Sequence, residues 1–211
     1  MGDAPGDIPA MGPSHTGRLA VVRHGATEWS RAGRHTGRTD VALLREGEAQ
    51  AAAVGARLAG HHFARVLVSP RLRARQTCEL AGFGPESQLC PDLAEWDYGD
   101  YEGKTTAEIR AERPGWSLWA DGVPGGERLD EVAARAARVV ALAREAARDS
   151  GDVLAFAHGH ILRVVACQWA GLPPRSGGSL ALSPGALGVL GWEREVPVIA
   201  RWDDTGDDPL G

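Results

Sequence analysis

Apolar positions along the chain fall into two kinds of pattern. Arg18 to His24 (RLAVVRH), Arg65 to Ser69 (RVLVS) and Asp152 to Ala157 (DVLAFA) hold short continuous apolar runs. Such runs predict strands buried on both faces. Between them lie segments of helical character: the Ala-rich Arg45 to Ala59, and Arg71 to Leu80, which follows Pro70. The longest predicted helix is Arg128 to Arg148. There Leu129, Val132, Ala133, Ala136, Val139, Val140 and Ala143 recur at helical spacing, with Glu131 and Arg135 four residues apart. Ile161 to Trp169 predicts another helix, ended by Gly171 and the Pro173-Pro174 pair. Ser179 to Leu182, Ala186 to Trp192 and Val196 to Trp202 predict shorter strands. Strands alternating with helices predict an α/β fold: a mainly parallel sheet flanked by helices on both faces, with an antiparallel edge near the C-terminus.

With 211 residues, 43% hydrophobic and 24% charged, the chain can bury one substantial core. One domain is expected over residues 18–202, between a Gly- and Pro-rich N-terminal tail (1–17) and an acidic C-terminal tail (203–211). The opening lacks the basic start and apolar core of a secretory signal, and no apolar run approaches the roughly 20 residues that span a bilayer. The formal charge of -5 argues against a general nucleic-acid binder. Cys78, Cys90 and Cys167 form no C-x-x-C pair and read as reduced core residues, so a cytoplasmic protein is expected. A homodimer is compatible with the sequence, which gives no way to place its interface.

In a doubly wound sheet, ligands bind beyond the carboxyl ends of the strands. The first predicted strand runs into Arg23-His24-Gly25, the second into Ser69-Pro70 with Arg71, Arg73 and Arg75, and the third into His158-Gly159-His160. Arginine offers a planar fork of donors to phosphate oxygens, so an anion is the natural guest. A neutral histidine can accept a phosphoryl group covalently, and adjacent cations such as Arg23 disfavour its protonation. Gly25 is expected to let backbone and ligand approach closely. A leaving alcohol needs a proton. Glu95, between Ala94 and Trp96, is the candidate donor, with a pKa expected to rise on burial; Asp97 and Glu102 are weaker candidates. Trp96 and Tyr98 are expected near that carboxyl. His160, two residues past His158, could suggest a metal pair, but the arginine-rich surroundings repel cations, and neither a metal nor a cofactor is expected.

At these residues the sequence resembles the histidine phosphatase superfamily, also called the phosphoglycerate mutase-like family. Arg23-His24-Gly25-Ala26-Thr27-Glu28-Trp29 is similar to its nucleophile motif. Ser69-Pro70-Arg71-Leu72-Arg73-Ala74-Arg75-Gln76-Thr77 is similar to its S-P-x-x-R-A-x-x-T motif. Leu93-Ala94-Glu95 with Tyr98-Gly99 and Glu102-Gly103 resembles the proton-donor segment, and Ala157-His158-Gly159-His160 the second catalytic histidine. The resemblance implies that His24 is phosphorylated, that Arg23, Arg73 and His158 clamp the phosphoryl group, and that Glu95 is acid and then base. It also implies a substrate-facing loop at 34–40, with Thr36 and Gly37 nearest the ligand. Tyr98 and Gly159 are further expected substrate contacts. Ser30 stands where many members have Asn, and a shorter contact to phosphate is expected there.

Hydrolysis of small phosphorylated metabolites is the expected activity, closest to acid phosphatases and sugar-bisphosphatases of the family. Phosphoglycerate mutase activity is the alternative, disfavoured because Tyr101 to Gly126 is short and has no Arg-Arg pair. A non-catalytic phosphate-binding module is the reading from another class. A P-loop nucleotide-binding protein is weaker still, since its Gly-rich Lys-Ser/Thr motif is missing.

Overall fold

The computed structural model of the chain describes residues 17–206, and for 147–150 the backbone alone. Six strands form one sheet: β1 (Leu19–Arg23), β2 (Arg65–Val68), β3 (Ser87–Leu89), β4 (Val153–Ala157), β5 (Leu187–Glu193) and β6 (Val196–Asp204), in the order β3-β2-β4-β1-β5-β6. The pairs β3/β2, β2/β4 and β4/β1 are parallel, and β1/β5 and β5/β6 antiparallel. This is the expected mainly parallel α/β sheet with its antiparallel edge. Around it lie α1 (Glu28–Arg31), α2 (Arg45–Leu58), α3 (Leu72–Leu80), α4 (Thr106–Glu112), α5 (Leu118–Asp121), α6 (Leu129–Ser150) and α7 (Gly159–Trp169).

Alternation of side chains along the central strands divides the core in two. Leu19, Val21, Leu67, Val153, Ala155 and Ala157 face α6 and α7, while Ala20, Val22, Val66, Val68, Leu154 and Phe156 face α2 and α3. Both faces are therefore dry, which is why these strands are apolar without interruption.

Two expectations change. Ser179–Leu182 is no strand: Ser179 closes a 3-10 turn over Pro174–Ser179, and the Gly177 and Leu182 carbonyls accept from Arg163 and Arg23. Strand β3 was not anticipated. It lies at the sheet edge with a single neighbour, and Ser87-Gln88-Leu89 carries no apolar run. The tail expected at 203–211 begins later, because β6 continues to Asp204. The remainder of that tail beyond Gly206, and the N-terminal tail except Gly17, lie outside the described residues. No helix among the described residues is long and apolar enough to cross a membrane.

Candidate active site

Three neighbouring strands end on the same edge. The backbone N–H of His24 continues the β1/β4 ladder by donating to the Ala157 carbonyl (2.9 Å), and that of Ser69 continues β2/β4 by donating to Phe156 (2.9 Å). His158 follows β4 directly and caps α7. Because β2, β4 and β1 are adjacent, Ser69, His158 and His24 stand side by side. The imidazoles of His24 and His158 lie with ring centroids 5.2 Å apart.

A main-chain contact sets the tautomer of His24. Nδ1 of His24 is 2.8 Å from the Gly25 carbonyl oxygen, which can only accept. Nδ1 therefore carries the proton, and Nε2 presents a lone pair. His24 is held well below the ordinary histidine range, first by burial, then by the charges of Arg73 and Arg23. Ser69 Oγ accepts from the Arg71 backbone N–H (3.3 Å) and lies 2.7 Å from Nε2 of His158. Nδ1 of His158 is a buried ring nitrogen with no partner among the described residues.

The arginines divide their work between fold and guest. Arg73 is fully buried. Nη1 donates to the Thr39 carbonyl (3.0 Å) and Nη2 to Thr36 (2.7 Å) and Gly37 (3.3 Å), leaving Nε unpartnered. Arg23 donates from Nη1 to the Leu182 carbonyl and also has a buried, unpartnered Nε. Unsatisfied cationic N–H groups in a protein interior are costly unless something accepts from them. Two such groups, with Nδ1 of His158 beside His24, describe a site built for anionic oxygens.

Thr77, the last residue of the S-P-x-x-R-A-x-x-T segment, joins these parts. Its hydroxyl accepts from the Gly25 N–H (3.1 Å) and donates to the Arg73 carbonyl (2.7 Å). The missing side chain of Gly25 also serves packing. A Cβ there would sit 2.2 Å from the Gly47 carbonyl oxygen, so the start of α2 rests directly on the loop after β1.

Glu95 reverses one expectation. Burial alone pushes its carboxyl up, but His160, through its side chain and its backbone N–H, holds it well below the ordinary range. Oε1 accepts from the backbone N–H groups of Trp96 (2.9 Å) and Ile161 (2.9 Å), and Oε2 from that of His160 (3.0 Å). The first turn of α7 thus receives a carboxylate, with helix dipole and free amides acting together.

The remaining expected residues are spread unevenly. A cavity of about 210 Å³ is lined by His24, Arg23, Ser30, Thr36, Glu95, Tyr98 and Gly159, whereas Arg73 and His158 are fully buried and are not among its lining residues. Ser30 uses its hydroxyl in a capping box with Thr27, accepting from the Thr27 N–H (2.9 Å) and donating to its carbonyl (3.1 Å). Gly37 is packed under the loop: a Cβ would lie 2.5 Å from the Trp96 carbonyl oxygen, and its N–H donates to Glu102. Glu102 also accepts from Thr39 (3.0 Å), and Asp97 pairs with Arg38 (2.6 Å). Both carboxyls left as weaker proton donors are therefore committed to the 36–39 loop and its neighbours. The cavity also contains His35, Arg34, Thr106, His160, Arg163 and Leu182, to which sequence reasoning gave no firm role. His160 and Arg163 follow His158 on α7 at a spacing that a helical reading could have used; nothing local marks Leu182.

The same chain is similar to proteins already known. The profile of the histidine phosphatase superfamily (branch 1) matches residues 19–205. The chain belongs to that superfamily. An acid phosphatase of Mycobacterium tuberculosis is 42% identical over 191 residues, 90% of this chain and 93% of the relative. A sedoheptulose 1,7-bisphosphatase of Saccharomyces cerevisiae is 38% identical over 191 residues, 76% of this chain and 70% of the relative. A solved Mycobacterium tuberculosis structure superimposes with a TM-score of 0.86 at 41% identity, covering 90% of this chain and 99% of that one. The chain is an enzyme of the histidine phosphatase type.

Proposed function

We propose that this histidine phosphatase hydrolyses small phosphorylated metabolites, passing the phosphoryl group through Nε2 of His24. One observation carries the reading: a neutral imidazole whose Nδ1–H is fixed on the Gly25 carbonyl, beside the unpartnered Nε–H groups of Arg23 and Arg73 and the unpartnered Nδ1 of His158. The names of the relatives, an acid phosphatase and a bisphosphatase, support hydrolysis.

In the first step, Nε2 of His24 attacks phosphorus, the bond from phosphorus to the ester oxygen breaks, and the departing oxygen takes a proton from Glu95. In the second, water attacks the phosphohistidine, gives a proton to Glu95, and the P–N bond breaks to return neutral His24. The buried arginine charges stabilise the phosphoryl oxygens in both steps. Glu95 is ionised in the empty site, so its proton must come with the substrate. A phosphate monoester loses its second proton near about pH 6, and the monoanion present below that can deliver one. Phosphate charge clamped beside the carboxylate then favours the neutral acid.

Phosphoryl return to a bound product, the mutase alternative, calls for a second anion clamp. Arg110 and Arg113, the arginines of the 101–126 segment, are committed within it: Arg110 donates to the Trp116 carbonyl (2.8 Å) and Arg113 pairs with Asp121 (3.3 Å). This supports hydrolysis. The test is 4-nitrophenyl phosphate hydrolysis in chelator by wild type and His24→Ala, beside a 3-phosphoglycerate isomerisation assay. Phosphate release that His24→Ala abolishes is the expected result. Isomerisation without release would make the enzyme a mutase, and silence in both assays would favour the binding module.

A further inference from the structure

The second imidazole of the site meets a side chain that the chemistry above leaves unused. Ser69 and His158 are both fully buried and follow the ends of adjacent strands, β2 and β4, whose register sets Val68 beside Phe156. Ser69 Oγ lies 2.7 Å from Nε2 of His158 and accepts from the Arg71 backbone N–H (3.3 Å). Among the described residues the hydroxyl has no other partner. Burial, Arg73 and His24 keep the His158 ring neutral, so its two nitrogens carry a single hydrogen. Two arrangements are open. If Nε2 donated to Oγ, the buried serine would have no acceptor for its own proton, and Nδ1 would be an acceptor in a site whose phosphoryl guest brings further acceptors. If Oγ donates to Nε2, the serine proton is used and Oγ still accepts from Arg71. The hydrogen then stands on Nδ1, the ring nitrogen with no partner of its own.

We infer that Ser69 is a positioning residue: its hydroxyl donates to Nε2 of His158 and holds the hydrogen on Nδ1, from which the ring bonds an oxygen of the transferring phosphoryl group. This rests on the phosphohydrolase reading above and extends it to a side chain that touches no substrate. His24 and His158 then carry the hydrogen on the same ring atom and use opposite nitrogens, His24 its bare Nε2 as nucleophile and His158 its Nδ1–H as donor. One partner fixes each ring: a carbonyl that only accepts for His24, a hydroxyl that donates for His158. A donor in place before the substrate arrives stabilises charge on the phosphoryl oxygens without having to reorganise. Alanine at 69 would end the strand equally well but could not choose the tautomer.

The test reads the tautomer directly and the kinetics beside it. In the full chain carrying isotope-labelled histidine, proton–nitrogen correlation spectra distinguish a bare ring nitrogen from one that bears hydrogen, and the His158 signals are those missing from His158→Asn. Wild type is expected to show hydrogen on Nδ1 and a bare Nε2, and Ser69→Ala to move a large share of that hydrogen to Nε2. Losing the bias of one hydrogen bond should lower kcat/KM for 4-nitrophenyl phosphate, and weaken inhibition by inorganic phosphate, each by about tenfold. That ester departs without a proton from Glu95, so the loss is not one of acid catalysis. Ser69→Thr restores the hydroxyl and should recover the wild-type tautomer and most of the activity. Hydrogen on Nε2 in wild type, or a tautomer or phosphate affinity that Ser69→Ala leaves unchanged, would overturn the assignment while leaving the phosphatase intact. No hydrolysis of 4-nitrophenyl phosphate by wild type would remove the phosphatase reading, and with it the purpose assigned to the Nδ1 hydrogen.

Discussion

The imidazoles of His24 and His158 stand 5.2 Å apart, tilted by 59°, and both are held neutral. Burial is the main cause for each, reinforced by Arg73 and, for His24, by Arg23. His35 is also lowered, again first by burial. Below the ordinary histidine value of 6.5 the unfolded chain binds protons that these folded rings refuse. Stability therefore rises with pH through that range and is lost on acidification, by about 1.4 kcal/mol per pH unit for each ring involved. Urea denaturation at pH 7.5, 6.5 and 5.5 measures this. His24→Asn should flatten the dependence by one histidine's share, and an identical slope in wild type and variant would refute a contribution from that ring.

Glu95→Gln keeps the shape of the carboxyl but cannot pass a proton. Alkyl leaving groups need that proton, whereas 4-nitrophenolate departs without it. Hydrolysis of alkyl phosphates should fall about 10²- to 10⁴-fold and that of 4-nitrophenyl phosphate much less. For an alkyl ester, kcat/KM of the wild type should decline above about pH 6, where the substrate loses its proton. A uniform loss across leaving groups would assign Glu95 to positioning alone.

Arg73 bonds three loop carbonyls, Thr36, Gly37 and Thr39, and keeps a buried, unpartnered Nε. An ammonium cannot reproduce that planar fork. Arg73→Lys should cost about 2 to 4 kcal/mol of stability, because buried carbonyls lose their donors, and lower kcat/KM for every phosphate ester. Chemical denaturation with steady-state kinetics checks both. Loss of activity at unchanged stability would mean that the loop does not depend on this guanidinium.

Gly47→Ala would bring a Cβ to 2.2 Å from the Ala26 carbonyl oxygen. Neither side of this contact is a flexible side chain, so α2 or the loop after His24 must shift. A destabilisation of about 3 kcal/mol is expected, with reduced activity at a residue that touches no ligand. A normal melting temperature and full activity would show that the two backbones part easily.

The central strands and α6 were legible because burial on both sheet faces, and on one helix stripe, leaves an unbroken trace in the apolar positions. β3 left none, since an edge strand with one neighbour needs little apolar surface. Ser179–Leu182 misled for the opposite reason: its apolar residues alternate as a strand's would, but the neighbouring carbonyls belong to Arg163 and Arg23. At the site, residue types and order pointed to His24, Arg23, Arg73, Glu95 and His158, and the fold brings all five together. The ionisation of Glu95 was not legible, because two of its three amide donors come from His160 and Ile161, far along the chain. The capping role of Ser30 had a signal in the Thr27-x-x-Ser30 spacing.

The Nδ1 proton of His24 rests on a main-chain carbonyl, that of Gly25. Every residue type supplies the same oxygen, so no side-chain truncation removes this orienting contact, and a scan registers it only where an added Cβ, as at Gly25, moves the backbone. Only a change that bends the chain can disturb it. Natural variation can therefore remodel the cavity wall one side chain at a time while the attacking nitrogen keeps its aim.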